Sequence, residues 1–362
     1  MKRSLLNKFV CGSLLFLCLA ACNVGEKSGG NLNSDEDGIE WRNQTQVRSA
    51  DFSGVNTAWL VTGKDGELLH TTDGGATWDR VPAPRVGGFE AIAFIDEQRG
   101  WAVSRRGQVY RTSDGGSTWT EASTLNYPGE TGNFMSAYNM VFADEQRGWI
   151  AETFSMWHTE DGGKSWSRGL SGSLPAEAGK GLIDIFFLTP QMGWACGTEG
   201  RLYQTSDGGS TWHSQVVAKG VDYFYQVLFL DSRTGWLKSD NTVYRTVDGG
   251  ETWRPRPIAG KDGDIVTGLT SFISAEEGWV VGHVVQGGDW ALKSGRGIVL
   301  HTADAGAHWQ ALQVGEGEPF FSRIHFVDAN AGWLCSRDNV YRTEDGGRTW
   351  RIVLKLPPIV NN

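Results

Sequence analysis

The chain has 362 residues, of which 33 are Lys or Arg and 42 are Asp or Glu, so its formal net charge is −9. Such an acidic chain is a poor candidate for nucleic-acid binding, because basic groups that neutralise phosphates supply most of that affinity. Disorder is excluded as well, since 40% of the residues are hydrophobic and 11% are aromatic. The high counts of Trp (17) and Gly (49) are typical of many short strands joined by tight turns.

Residues 1–21 are typical of an export signal. A cationic start precedes an apolar run over residues 9–21, which is too short to span a bilayer but suits a secretory signal peptide. The run ends in Leu19-Ala20-Ala21-Cys22, which resembles the bacterial lipoprotein processing box, where the Cys becomes the lipidated N-terminus. The alternative is an ordinary signal peptide with an incidental Cys22. Residues 22–43 are rich in Gly, Asn, Ser and acidic residues, which predicts a flexible tether. We therefore expect an extracytoplasmic protein, lipid-anchored to a bacterial membrane on its periplasmic side or at the cell surface.

The rest of the chain repeats two motifs over residues 44–357 and ends in a short tail, residues 358–362. The first motif is an Asp-Gly-Gly turn with a Trp five residues after the Asp, and only the sixth copy departs, with Ala305 after the Asp. These aspartates are 41 to 56 residues apart, at Asp73, Asp114, Asp161, Asp207, Asp248, Asp304 and Asp345. The second motif is a Phe seven residues before another Trp, which follows Gly in six copies and Ala58 in the first. The period is close to that expected for propeller blades.

Each repeat is predicted to form four short antiparallel strands. In the second copy these strands are predicted at residues 90–94, 101–104, 108–112 and 118–122. Four such strands make one blade, and seven blades closed in a ring bury both faces of each sheet and leave only short edges. The sequence therefore predicts an all-β fold, a seven-bladed β-propeller with four antiparallel strands per blade, and we expect it to be a monomer.

The Asp-Gly-Gly turn has a structural explanation. The Asp side chain can accept hydrogen bonds from backbone N–H groups of its own turn, and the Gly residues allow positive φ. A calcium loop is the alternative, but each turn supplies too few carboxylates for a hard cation. We therefore expect neither a metal nor a cofactor. Cys196 and Cys335 occupy equivalent positions in blades that are not neighbours, so a disulfide between them is disfavoured.

The repeated turn is the Asp box, also called the bacterial neuraminidase repeat. Seven Asp boxes combined with Phe-x6-Trp strands resemble the photosystem II stability/assembly factor-like family of seven-bladed propellers, and the resemblance covers nearly all of the chain after the tether. Asp boxes also occur in sialidases and xyloglucan-degrading enzymes, but the additional Gly-Trp strand favours the assembly-factor-like group. The resemblance implies a non-enzymatic protein that binds protein partners at a membrane surface during assembly of a membrane complex, as in photosynthesis.

Binding is expected at the face opposite the Asp boxes, where residues depart from the repeat. One candidate group lies three residues before the recurring Phe, on the strands that line the channel: Asn139, Asp184, Gln226 and Arg323. These residues differ between blades, whereas a purely structural position would be expected to repeat; the alternative is that channel water satisfies them. The second group consists of aromatic residues in connections and insertions, namely Tyr223, Phe224, Tyr225 and Trp290. Arg105, Arg106 and Arg201 lie on the same face and either pair with an acidic partner or are ordinary solvated turn residues.

Two other functions remain open. A sialidase-like or xyloglucanase-like glycoside hydrolase usually needs two carboxylates across a cleft, for which Asp184 with Asp222 or Glu130 could be proposed. However, the Phe/Tyr-Arg-Ile-Pro segment that usually precedes the first box of sialidases does not occur here. A carbohydrate-binding lectin would instead use Tyr223, Tyr225 and Trp290 as stacking platforms. The sequence favours the non-enzymatic, protein-binding scaffold.

Overall fold

The computed structural model describes residues 47–62, 66–81, 88–126, 137–152, 156–168, 181–258, 264–285, 296–315, 318 and 320–356. These residues form seven four-stranded antiparallel sheets, each built from strands that are consecutive in the chain. The first four blades contain β1 Val47–Phe52, β2 Ala58–Thr62, β3 Glu67–Thr71, β4 Asp79–Val81, β5 Phe89–Phe94, β6 Gly100–Ser104, β7 Gln108–Thr112, β8 Thr120–Thr124, β9 Ala137–Phe142, β10 Gly148–Glu152, β11 Met156–Thr159, β12 Ser167–Arg168, β13 Leu182–Phe187, β14 Gly193–Gly197, β15 Arg201–Thr205 and β16 His213–Val216. The last three contain β17 Gln226–Phe229, β18 Gly235–Lys238, β19 Thr242–Thr246, β20 Arg254–Pro257, β21 Asp264–Phe272, β22 Gly278–Val285, β23 Arg296–Thr302, β24 Gln310–Leu312, β25 Phe321–Phe326, β26 Gly332–Ser336, β27 Asn339–Thr343 and β28 Arg351–Lys355. The fold is a seven-bladed β-propeller, which confirms the prediction from the repeats.

The second blade shows how closely the repeat locates the strands. Its first three strands, β5 to β7, begin at or within one residue of the predicted positions. The fourth strand, β8, begins two residues later than predicted, because Thr118 still belongs to the turn. The backbone N–H and the hydroxyl of Thr118 donate to the two carboxylate oxygens of Asp114, at 2.9 and 2.6 Å.

The recurring Phe and Trp residues form the contacts between blades. At six of the seven interfaces the Trp of one blade stacks on the Phe of the next, with ring centroids 3.4 to 4.2 Å apart. In blades two to seven the Trp that ends the turn meets the same Phe edge-on, as Trp253 meets Phe229 at 6.0 Å and 86°. Stacked and edge-to-face pairs are the favoured aromatic geometries and add to the effect of burial. Each Phe therefore joins its own blade to the preceding one.

The Gly before the stacked Trp is required by the same packing. A Cβ added at Gly235 would lie 2.6 Å from the Phe229 ring, well inside van der Waals contact. In the first blade Ala58 occupies this position and Phe52 has moved away from the usual stack, since its ring lies 5.6 Å from that of Trp333. The exception in the sequence motif therefore marks the interface between blades seven and one.

Among the described residues, neither blade seven nor blade one contains a strand from the other, and side chains join the two blades. Three arginines of blade seven donate to backbone carbonyls of blade one: Arg323 to Arg48, Arg342 to Val55 at 2.7 Å, and Arg351 to Gly74 at 3.4 Å. In the reverse direction, Trp78 Nε1 donates to the carbonyl of Val353 at 3.1 Å. We call this interface, between β1–β4 and β25–β28, the seam.

The Asp-Gly-Gly turns are closed by the hydrogen bonds that the sequence predicts. In the fourth turn, the carboxylate of Asp207 accepts from the hydroxyl and the N–H of Thr211, at 2.6 and 2.8 Å. The hydroxyl of Thr205 donates to the same carboxylate at 2.8 Å and accepts from the N–H of Gly209 at 2.8 Å. These donors, first of all the Thr211 hydroxyl, lower the pKa of Asp207 to about 2.

The sixth turn stores backbone strain that a single substitution should release. Ala305 has φ 61°, whereas the other six turns have Gly at this position with φ between 71° and 81°. This left-handed conformation is unfavourable by ~1–2 kcal/mol for a residue with a Cβ. We expect Ala305→Gly to raise the free energy of unfolding by ~0.5–1 kcal/mol, because the greater freedom of Gly in the unfolded chain offsets part of the gain. Urea denaturation followed by Trp fluorescence measures the change, and an unchanged or lower midpoint would contradict the expected strain.

Candidate functional site

The two ends of the ring differ in what they present to a partner. Because strands alternate in direction, the Asp-Gly-Gly turns all lie at one end. The loops between the second and third strands and the connections between blades lie at the other end, which we call the loop face. Residues 104–107, 198–200, 217–225 and 239–241 belong to it.

Asn139 and Asp184, on the first strands of blades three and four, are buried and hydrogen-bonded across blade boundaries. Asn139 Nδ2 donates to Asp184 Oδ1 at 2.7 Å and to the carbonyl of Ile185 at 3.0 Å. Asp184 Oδ2 accepts from the N–H of Val227 in blade five, at 2.9 Å. The two side chains therefore link three consecutive blades. Burial raises the pKa of Asp184 to about 7, against the lowering effect of these donors.

The other polar residues at this position, Ser49, Gln226 and Arg323, have the same role. Gln226 Oε1 accepts from the N–H of Thr270 at 2.8 Å, and its Nε2 donates to the Thr270 carbonyl at 3.1 Å. Ser49 Oγ accepts from the N–H of Ile92 at 3.3 Å, and Arg323 donates across the seam. A β-bulge directly precedes several of these positions, including Ser49, Asp184 and Arg323, and bulges redirect side chains.

These contacts correct the prediction that Asn139, Asp184, Gln226 and Arg323 form a partner-binding site. Asn139, Asp184 and Arg323 are each at most 5% exposed, and Gln226 uses both ends of its amide on the neighbouring blade. The residue type at this position differs between blades, which suggested that the position recognises a partner. The difference arises because unlike polar side chains can all reach the backbone of the next blade.

Two of the predicted aromatic binding residues are also corrected. Phe224 is fully buried and meets Tyr244 edge-on at 5.3 Å, so it belongs to the core between blades four and five. Tyr225 is 2% exposed, and its hydroxyl donates to Asp240 at 2.8 Å. Tyr223 is half-buried, stacks on Tyr225 at 5.9 Å and stays a candidate on the loop face. Trp290 and Cys22 lie outside the described residues.

The loop face carries a cluster in which two guanidinium groups share one carboxylate. Glu90 is 5% exposed, and its Oε2 accepts from Arg105 Nε at 3.0 Å and from Arg48 Nη1 at 3.4 Å. Arg106 is exposed beside Arg105. Guanidinium groups bind carboxylates with paired, charge-assisted hydrogen bonds, so Arg105 and Arg106 are candidates for contact with an acidic ligand. Sequence reasoning overlooked Glu90, although a Glu inside the otherwise apolar strand β5 is a usable signal. We call Arg48, Glu90, Arg105 and Arg106 the arginine cluster.

Comparison with known proteins identifies the family. The sequence model of the photosynthesis system II assembly factor YCF48 family matches residues 88–180 and 221–356, more than half of the chain. The chain belongs to this family. The resemblance seen in the sequence is thereby confirmed.

Individual relatives agree with this assignment. The photosystem II assembly lipoprotein Ycf48 of Picosynechococcus sp. is 28% identical over 188 residues, which are 51% of this chain and 53% of that protein. The chain thus matches about half the length of this curated relative. A structure of YCF48 bound to D1 peptide has a TM-score of 0.63 at 18% identity, over 83% of this chain and 94% of that one. YCF48 from Cyanidioschyzon merolae has a TM-score of 0.60 at 17% identity, over 83% and 96%. These structures share the fold of this chain.

Buried titratable groups in this YCF48-family chain are dispersed rather than gathered. Cys196 and Cys335 are buried free thiols, as expected, and burial raises the pKa of Cys196. Lys238 lies at the equivalent repeat position of blade five, where burial lowers its pKa to about 7 and its Nζ donates to the Asp240 carbonyl at 2.8 Å. Within the described ranges, no three His, Cys, Asp or Glu side chains form a group that could hold a metal ion. Nor does that part of the chain contain a helix long and apolar enough to cross a membrane.

Proposed function

We propose that this chain is a non-enzymatic scaffold that binds a segment of a partner protein during assembly of photosystem II. Membership of the YCF48 family supports this role, and so does the name of the relative from Picosynechococcus sp.. The export signal and Cys22 support a lipid-anchored, extracytoplasmic position, which agrees with the description of that relative as a lipoprotein. We further propose that the chain acts as a monomer and that the partner is a protein at the membrane surface.

The arginine cluster is the observation that carries the choice of site. The guanidinium groups of Arg48 and Arg105 are held in place by Glu90, so little side-chain entropy is lost when a peptide carboxylate binds. The exposed Arg106 beside Arg105 favours an acidic segment or a free carboxyl terminus as the ligand. The solved YCF48 relative binds a D1 peptide, which supports a peptide as the ligand class. Tyr223 offers an aromatic contact elsewhere on the same face.

Peptide binding tests this proposal directly. Fluorescence anisotropy with labelled peptides from the carboxyl-terminal part of D1 is measured against the full-length protein and against the variant Arg105→Glu/Arg106→Glu. We expect the charge reversal to weaken binding at least about tenfold, since each lost charged hydrogen bond is worth ~1.5–3 kcal/mol. Arg348→Glu is the control, because Arg348 is exposed to solvent, as Arg106 is, but lies in an Asp-Gly-Gly turn at the opposite end of the ring.

Equal losses in the two variants would show only a general electrostatic attraction, and the assignment of the site to the arginine cluster would fail. The absence of binding to the unmodified protein by any D1 peptide would contradict the choice of D1 as the partner.

A further inference from the structure

His325 is buried in the seam, at the residue before the recurring Phe of blade seven. Its side chain is 7% exposed and its ring stacks on Phe52 of blade one, with centroids 5.2 Å apart and an interplanar angle of 9°. Its partner on the neighbouring strand is Trp333, which belongs to the same apolar cluster as Phe52. The imidazole thus occupies the space into which the Trp–Phe stack would otherwise close.

The seam differs from the other six interfaces in how it is held. Its Trp–Phe stack is open by comparison, at 5.6 Å and 28°. Its polar contacts include guanidinium groups of blade seven on carbonyls of blade one and the indole N–H of Trp78 on the carbonyl of Val353. A charge introduced into this interface therefore acts where aromatic packing is weakest.

The groups that surround His325 do not favour a positive charge. The strands packed against β25 carry the following titratable or charged residues, with Arg323 on β25 itself: Cys335 on β26, Tyr341 and Arg342 on β27, Arg48 and Asp51 on β1, Asp264 on β21, His283 on β22, and Arg296 and His301 on β23. Arg342 places its guanidinium 5.0 Å from the Trp333 ring. Asp51 accepts from the N–H of Phe94 in blade two, and burial raises its pKa to about 7. A protonated imidazole would therefore be a cation buried against the Phe52 ring, and burial is what disfavours it.

We infer that the seam is an acid-sensitive closure, in which a proton on His325 separates blade one from blade seven while the other interfaces stay intact.

The pH range follows from the burial of the imidazole. Burial lowers the pKa of His325 to about 4 from its ordinary value of 6.5. The contribution of His325 to the closed seam is therefore fully present above pH 6.5 and is lost as the pH falls toward 4, because the open form takes up the proton first. At pH 5 this linkage corresponds to an increase of about thirtyfold in the opening equilibrium. The Asp-Gly-Gly turns are unaffected at pH 5, since a pKa near 2 keeps a carboxylate such as Asp207 charged.

Hydrogen exchange measured by mass spectrometry on the full-length protein tests the inference. Exchange is compared at pH 7.5 and pH 5 after correction for the intrinsic rates, for β1 and β28 at the seam and for β6 and β7 in blade two, two strands that carry no His, Cys or carboxyl side chain. We expect the seam amides to lose protection by about tenfold to thirtyfold at pH 5, while the amides of β6 and β7 keep theirs. In His325→Phe the ring still stacks on Phe52 but cannot take up a proton, so the response of the seam to pH should disappear. The exposed His213, changed to Gln, is the control and should leave the response intact.

Two results would overturn the inference. One is a seam in His325→Phe that opens at pH 5 as much as in the unmodified protein. The other is an equal loss of protection in β6 and β7 of blade two, which would mean global unfolding. Where Phe itself disturbs the seam, His325→Gln provides a second side chain that does not titrate. The ratio of its opening equilibrium constants at pH 5 and pH 7.5 then shows whether the response of the seam to pH has been lost.

Discussion

Replacing Gly278 with alanine is expected to lower the free energy of unfolding by about 2–3 kcal/mol. The added Cβ would lie 2.3 Å from Cδ1 and 2.5 Å from Cε1 of Phe272. Phe272 cannot easily give way, because Trp236 of the preceding blade stacks on it at 4.2 Å and Trp309 of its own blade meets it at 6.4 Å and 75°. Overpacking at this position therefore strains two blades at once.

Urea denaturation measures the loss, and Gly315→Ala is the matched control. A Cβ at Gly315 would meet no heavy atom within 4 Å, so we expect a change within ~0.5 kcal/mol. In a double-mutant cycle, Phe272→Leu should recover part of the loss in Gly278→Ala, because the smaller side chain removes the clash. An unaltered unfolding midpoint for Gly278→Ala would show that the Phe position is not fixed by the two Trp rings.

The fold could be predicted because short local motifs contain the residues that pack between blades. The Phe, the Gly and the stacked Trp occur within eight residues of one another in every repeat, and this spacing places them on adjacent strands. Even the exceptions were informative. Ala58 marks the interface with the open stack, and Ala305 marks the turn with the strained backbone.

The candidate site was less predictable because its contacts join residues distant in sequence. Asn139 and Asp184 are 45 residues apart, and the seam hydrogen bond of Arg323 spans 275 residues. A sequence shows that such positions are polar, but not whether the polar atoms face a partner or the backbone of the next blade. Phe224 was misassigned for a related reason, since irregular connections have no periodicity that separates buried from exposed residues.

The second large effect is expected at Asp184, where a change to Asn should alter how stability depends on pH. Burial raises the pKa of Asp184 to about 7 in the folded protein, from an ordinary value of 3.8. Its contribution to stability is therefore fully present below pH 3.8 and is lost as the pH rises through 7, by at most ~4 kcal/mol. Asn cannot ionise, but it offers one oxygen to the N–H groups of Asn139 and Val227 where Asp184 offers two.

The variant Asp184→Asn should therefore be less stable than the unmodified protein by ~1–3 kcal/mol at pH 5, where one N–H group loses its acceptor. The difference should shrink by pH 8 and can change sign, because only the unmodified protein then carries a buried charge. Urea denaturation at pH 5, 6.5 and 8 measures it, with the exposed Glu251→Gln as a control whose difference stays constant. Asp51 titrates in both proteins, so its contribution cancels from the difference in the free energy of unfolding. A difference that is equal at all three pH values would mean that Asp184 stays charged in the ring, with its two N–H donors outweighing burial.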